Sequence, residues 1–464
     1  MFLLLLLWQK KSLVLASGAS LVLMALIAVF YWRILPGAFL SASTKGLTTA
    51  FEIFLIIFGA VFFLEILKKK GIIESICFYL ESFSKDYRLQ VILLAWFFEN
   101  FLEGIAGFGT PAAIVAPLLI GMGLSPLKAV TLALLGNSTA GVFGAAGTPI
   151  HLGFAELANS SVAVNAARFN LVGLLVPVFM LWVLLAGQPE KRKQFFEALP
   201  FALWSGIVFV VPAYFLVFIG QEFASILGSI VGLVLIFLTL RLKIFLPRIE
   251  RDPHPAQKPA DLLPLIRVIF PYFIFIILLF LGKIFFGTSK LFNPGIIFIL
   301  SGLLTLVFFP RMPKLIAVSF KEAWQRSRSP FLVIAAMSVL VQILLKTPSL
   351  IVISQRLETR FLPFLTPFIG AFGAFLTGSV TLSNIMFANF LATAGRFLQM
   401  DLAKILALQL VGAAAGNMIA LADILAAESV AGLKNQEQSI LKGVLGPCLI
   451  YLVLAGIIGL LVIS

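Results

Sequence analysis

Residues 99–111 read Glu99-Asn100-Phe101-Leu102-Glu103-Gly104-Ile105-Ala106-Gly107-Phe108-Gly109-Thr110-Pro111, and residues 136–149 read Gly136-Asn137-Ser138-Thr139-Ala140-Gly141-Val142-Phe143-Gly144-Ala145-Ala146-Gly147-Thr148-Pro149. Both stretches lie inside long apolar segments, and in both a glycine-rich run ends in Thr-Pro. A threonine hydroxyl caps a helix N-terminus and proline fits the first helical position, so the pair marks a helix start. A helix that starts inside an apolar segment means the segment is broken there. Its free N–H groups and positive dipole end then point inward, which suits a small anion. Either stretch alone has a tight packing turn as its alternative; two of them so close together favour broken spans.

Around these stretches the chain is 464 residues long, 61% hydrophobic and 12% charged, against roughly 45–50% and 25% in soluble domains. That excess excludes a soluble globular protein. The formal net charge is +14, from 34 Lys and Arg against 20 Asp and Glu, but the basic residues sit in short clusters between apolar runs. A nucleic-acid surface does not look like this. The apolar runs also lack the period-two alternation of a transmembrane barrel. Cys77, Cys448, His151 and His254 are too few for a disulfide framework or a zinc site, so no metal and no cofactor is expected. Phe2 to Trp8, then Lys10 and Lys11, then a full-length apolar run is the order of a retained first helix rather than a cleaved signal.

A helix needs roughly 20 apolar residues to cross the hydrocarbon core. Such windows lie near 12–32, 47–67, 127–149, 168–187, 197–219, 223–240, 264–282, 292–309, 331–346, 402–423 and 440–462, which makes eleven crossings. Two further apolar stretches, 89–123 and 362–396, are too long for one crossing and are interrupted at their centres. They read as re-entrant hairpins, with two full crossings each as the alternative. With the N-terminus cytoplasmic and the C-terminus outside, Lys68 to Lys70, Lys191 to Lys193, the run Arg241 to Lys258 and the run Arg311 to Arg328 all fall inside, as the positive-inside rule requires. The Pro-rich stretch Arg248 to Pro264 is the one plausible linker, and it is too short for a separate domain.

A shift of 274 positions carries Phe98, Phe101, Leu102 and Gly104 onto Phe372, Phe375, Leu376 and Gly378, and Ala129, Leu132 and Ala133 onto Ala403, Leu406 and Ala407. The same shift carries the first hairpin onto the second. The chain therefore divides into a first repeat over 1–190 (hairpin 89–123, broken helix 127–149), linking spans over 191–290, and a second repeat over 291–464 (hairpin 362–396, broken helix 402–423). Three linking crossings turn the second repeat upside down. Inverted repeats whose broken helices meet at the midplane are the architecture of secondary transporters.

An ionisable residue within the membrane is costly and so a default functional candidate. Glu103, beside the first glycine break, is placed best to carry a proton; Glu99 lies one turn away, and Asp423 follows the second break. The substrate-binding candidates are Gly107, Gly109, Thr110, Asn137, Ser138, Thr139 and Thr148 in the first repeat, with Ser379, Thr381, Ser383, Asn384 and Asn417 in the second. Interhelical hydrogen bonding is the alternative for each hydroxyl or amide. His151 reads as a satisfied interfacial residue rather than a proton relay.

The stretches FLEGIAGFGTPAAI at 101–114, GNSTAGVFGAAGTPI at 136–150 and GAFLTGSVTLSNIMF at 373–387 resemble the L-lactate permease family. That resemblance implies proton-coupled uptake of lactate and glycolate, a bacterial inner-membrane location, and kinship with ion transporters built on paired hairpins. The chain departs from the family pattern at Val380 and Leu382, where an acid and a serine are usual, and over Gly416 to Leu421. The expected function is thus a proton symporter of small monocarboxylates in the plasma membrane, with the carboxylate on the helix starts at Thr110 and Thr148 and with a homodimer as an option. A sodium-coupled organic-anion carrier is the nearest alternative. Gly107-Phe108-Gly109 is similar to part of a potassium filter, but it lacks the preceding Thr-Val and has no second copy. No metalloprotease or serine-hydrolase motif is present, which argues against an enzyme.

Overall fold

The computed structural model describes residues 13–107, 110–247, 262–286, 293–307, 309, 312–348, 360–434 and 436–463. The expected linker between Arg248 and Pro264 therefore lies almost wholly outside the described residues, as do His254 and Gly109. Among the described residues every regular element is helical. In lipid an α-helix satisfies its own backbone groups, which is why long apolar runs take this form. In chain order the helices are α1 (Leu13–Leu26), α2 (Pro36–Lys69), α3 (Ile72–Glu81), α4 (Tyr87–Ile92), α5 (Glu99–Ile105), α6 (Thr110–Gly121), α7 (Pro126–Gly136), α8 (Gly144–His151), α9 (Ser160–Phe169) and α10 (Val176–Leu184). They continue as α11 (Lys191–Leu216), α12 (Ala224–Leu242), α13 (Leu265–Phe286), α14 (Pro294–Val307), α15 (Met312–Leu344), α16 (Leu362–Thr377), α17 (Val380–Phe397), α18 (Leu402–Gly416), α19 (Leu421–Val430) and α20 (Glu437–Ile463). The all-α polytopic class read from the sequence is the class observed.

Nine helices among the described residues are long and apolar enough to cross a membrane, or ten if the bent pair α7 and α8 is one span. The remaining expected crossing, near 292–309, corresponds to α14, whose 14 residues reach only roughly 21 Å. Two expected spans prove to be parts of longer helices. The span at 47–67 is the C-terminal part of α2, because the hydroxyls of Ser43, Thr44, Thr48 and Thr49 bond back to carbonyls one turn earlier and keep the preceding polar stretch helical. Glu52 therefore lies within α2. The span at 331–346 is the second half of α15, whose first half carries Lys321, Glu322, Arg326 and Arg328.

By packing, the chain forms two compact units, 1–76 with 258–353 and 77–257 with 354–464. This partition follows contacts and says nothing about internal symmetry. In the first unit α2 packs on α14 and α15. A Cβ on Gly59 would strike the carbonyl of Gly295, so the two backbones meet directly. Near the C-terminal end of α2, Glu65 is buried and pairs with Arg326 at 2.9 Å, while Lys69 pairs with Glu322 at 2.7 Å.

The second unit holds both hairpins and both broken spans. Tyr87 to Ile105 is one continuous helix containing a π-helical stretch at Leu93–Phe98. It ends before Gly107 (φ 58°), and α6 starts at Thr110. The second hairpin repeats this scheme, with α16 closed by left-handed Gly378 (φ 69°) and α17 started by Ser379, whose hydroxyl accepts from the Leu382 N–H. The legs α6 (12 residues) and α16 (16 residues) reach roughly 18 Å and 24 Å, short of a full crossing. At the first broken span α7 and α8 meet at 50°. At the second, α18 passes through a 3₁₀ turn at Asn417–Ile419 and extended Ala420 into α19.

Candidate functional site

Four interruptions come together inside the second unit. A small cavity is lined by Glu103 and Gly107 from the first hairpin, Gly141, Gly144, Ala145 and Pro149 from the first broken span, Ser379, Val380 and Thr381 from the second hairpin, and Asn417 from the second broken span. The space open to the centre of a water-sized sphere is about 10 Å³, room for about one water. In this conformation that space is smaller than any organic acid, so the walls must part to admit one.

The local sequence explains the walls. Ala145 (φ 42°), Ala146 (φ 53°) and Gly147 (φ 79°) form a left-handed run. Two consecutive alanines in this region are unusual, because Cβ crowds the following carbonyl there. Such strain persists where the surroundings hold it, and it collects at functional sites. Several ties hold the break. Asn100 Oδ1 accepts from the Ala140 N–H at 3.0 Å, Ser225 Oγ donates to the Ala140 carbonyl at 2.9 Å, and Asn384 Nδ2 donates to the Pro149 carbonyl at 2.9 Å. Asn170 Nδ2 donates to the Thr139 carbonyl, and Tyr451 in turn donates to Asn170 Oδ1 at 2.6 Å. Tyr451→Phe leaves Asn170 Oδ1 buried without that donor, so a loss of about 1–3 kcal/mol is expected as a lower unfolding midpoint in detergent, with substrate preference unchanged.

Of the expected acids, only Glu103 lines the cavity. It is 2% exposed, and its Oε1 lies 2.7 Å from the position a Cβ on Gly144 would take and 3.5 Å from that of Gly107. Glycine at these positions is what lets a carboxyl reach the break. Glu99 and Asp423 are buried within electrostatic reach of Glu103 but do not line the cavity. Glu99 packs against Gly136, and Asp423 faces Gly378. Both Glu99 oxygens, Glu103 Oε2 and Asp423 Oδ2 have no protein hydrogen-bond partner.

The other expected residues divide. Gly107, Ser379, Thr381 and Asn417 line the cavity. Asn137, Ser138, Thr139, Ser383 and Asn384 are buried nearby without lining it. Ser383 donates to the Gly370 carbonyl on α16, the interhelical alternative, whereas Ser138 donates locally to the Leu135 carbonyl three residues back. Thr148 does not act as the helix cap. It donates to the Ala145 carbonyl, and the helical turn after it ends at His151, so little dipole stands behind it. The helix start that does reach the cavity is that of α17, an 18-residue helix whose first residues Val380 and Thr381 form part of the wall. Thr110 begins α6 as expected. His151 Nε2 lies 2.8 Å from Glu222 Oε1, the satisfied arrangement. Leu382, the second departure, is buried away from the cavity, whereas Val380 lines it with Cγ2 against Gly141. Sequence reasoning passed over Asn100, Asn170 and Ser225. The asparagines carried the same signal as Asn137, an amide in an apolar span; the serine carried none.

The L-lactate permease family model matches residues 1–287 and 282–464. The chain belongs to the L-lactate permease family. Among relatives, the L-lactate permease of Salmonella typhimurium is 27% identical over 97% of this chain and 91% of its own length. The L-lactate permease of Escherichia coli is 26% identical over 97% and 91%, and the glycolate permease of the same organism 26% identical over 96% and 91%. The chain is thus a multi-pass membrane transporter of the L-lactate permease family.

Proposed function

We propose that this family member carries small 2-hydroxy monocarboxylates, lactate and glycolate foremost, together with a proton across the bacterial inner membrane. The observation that carries the reading is the acid–base balance of the cavity, which holds the carboxyl of Glu103 and no basic side chain among its lining residues. A buried carboxylate without a cation is too costly to keep. An incoming organic anion makes that cost worse. A proton on Glu103 removes the conflict and turns the carboxyl into a donor toward the substrate carboxylate, so anion and proton enter together. The N–H groups at the start of α17 supply further donors, and a helix N-terminus favours an anion. The names of the L-lactate and glycolate permeases at about the same identity support the substrate class.

The two short hairpin legs and the two broken spans support an inverted-repeat arrangement with re-entrant hairpins, and the basic loops support a cytoplasmic N-terminus. Sodium coupling is the second reading, favoured by the unpartnered oxygens of Glu103, Asn417 and Asp423. The test is uptake of labelled lactate and glycolate into proteoliposomes under an imposed pH or sodium gradient. Accumulation driven by an inward proton gradient alone is expected. Accumulation that needs sodium favours the second reading, and uptake of neither acid under either gradient contradicts both.

A further inference from the structure

Two residues of the cavity wall each carry a buried side-chain acceptor with no hydrogen-bond partner, Glu103 at Oε2 and Asn417 at Oδ1. Of the two hydroxyl residues on the wall, Ser379 accepts from the Leu382 N–H, and neither it nor Thr381 donates to Asn417 Oδ1. Asn417 is 2% exposed and is the first residue of the 3₁₀ turn that follows α18. Its Nδ2 lies 3.4 Å from the position a Cβ on Gly141 would take, so its nitrogen side is packed on the first broken span.

A carboxylate brings only acceptors and cannot satisfy Asn417 Oδ1. Proton loading turns Glu103 into a donor and leaves Asn417 as it was. The missing donor is an O–H on the carbon next to the carboxylate. From this accounting we infer that Asn417 is the residue that selects hydroxy acids over plain carboxylic acids, its Oδ1 accepting the substrate's 2-hydroxyl. The inference rests on the reading of this cavity as the carboxylate site. A site built around a substrate hydroxyl rejects the analogue lacking it, because the buried acceptor is then left unpaired.

The test compares lactate with propionate, the same skeleton without the hydroxyl, as substrates of the purified full-length protein in proteoliposomes. The wild-type chain is expected to prefer lactate by about 10- to 100-fold in kcat/KM, the cost of leaving one buried acceptor unpaired. In Asn417→Leu, close in size but without an acceptor, that ratio collapses toward one through loss of lactate transport, while propionate transport holds. Asn417→Ser keeps a smaller acceptor, gives an intermediate ratio, and decides the matter by itself where the leucine variant does not fold. An unchanged ratio in the variants, or an equal fall for both acids, overturns the assignment. Equal transport of both acids by the wild type overturns it while leaving the carboxylate reading intact. Transport of neither acid by the wild type removes that reading, and this assignment with it.

Discussion

Glu103→Gln is expected to abolish accumulation of lactate driven by a pH gradient while leaving lactate–lactate exchange across the same membrane at a substantial rate. The glutamine amide has the shape of a protonated glutamate and fits between Gly107 and Gly144, where the carboxyl now lies. It imitates the loaded state, so substrate can bind and be carried. It cannot release a proton, so the empty carrier loses the step that couples return to the gradient. Uphill uptake should fall by about a hundredfold or more, the size general acid–base groups commonly contribute, and the remaining exchange should become independent of pH. Glu99→Gln separates the alternatives. Glu99 does not line the cavity, so its loss should slow proton exchange with Glu103 and leave substrate affinity unchanged.

The second large effect is expected from Gly136→Ala. A Cβ at Gly136 would collide with the carbonyl oxygen of Ala95 and come within 2.8 Å of Glu99 Oε2. Ala95 belongs to the π-helical stretch at Leu93–Phe98, and neither backbone can yield without moving α7 away from the first hairpin. Close approach of small residues is how helices gain contact in lipid, and overpacking such a contact costs about 1–3 kcal/mol or more. The expected result is a clearly lower unfolding midpoint in detergent and loss of transport, because the break at 137–147 is held by its neighbours. Gly121→Ala is the control: a Cβ there meets nothing within 4 Å, so midpoint and transport should match the wild type.

Much of this molecule was legible in its sequence because membrane helices follow two local rules, apolar length and internal hydrogen bonding. Glycine-rich breaks inside apolar runs were visible for the same reason, and four of them supply every residue of the cavity wall. Helix ends were less visible. The polar stretch Ser41 to Lys45 falls between the apolar windows 12–32 and 47–67, yet the hydroxyls of Ser43 and Thr44 bond within α2. The division of labour at the site was least visible. Thr148, followed by proline, reads as a helix start and Ser379 does not, yet it is Ser379 that opens a long helix onto the cavity, while Thr148 is drawn back toward Ala145 by a left-handed backbone run that no local pattern announces. Glu103 stood out in sequence by its place beside the glycine break, but that Glu99 and Asp423 stay off the wall follows only from the packing of the first hairpin on Gly144 of the first broken span.

The central claim, that Glu103 takes up the proton that travels with the substrate, is tested most directly by proton flux in proteoliposomes without an imposed gradient. Lactate added outside should acidify the lumen of vesicles holding the wild-type chain, as measured with a trapped pH dye at a permeability-corrected baseline, and should produce no such signal with Glu103→Gln. Lactate entry accompanied by sodium influx and no pH change, or an undiminished proton signal in the glutamine variant, would contradict it.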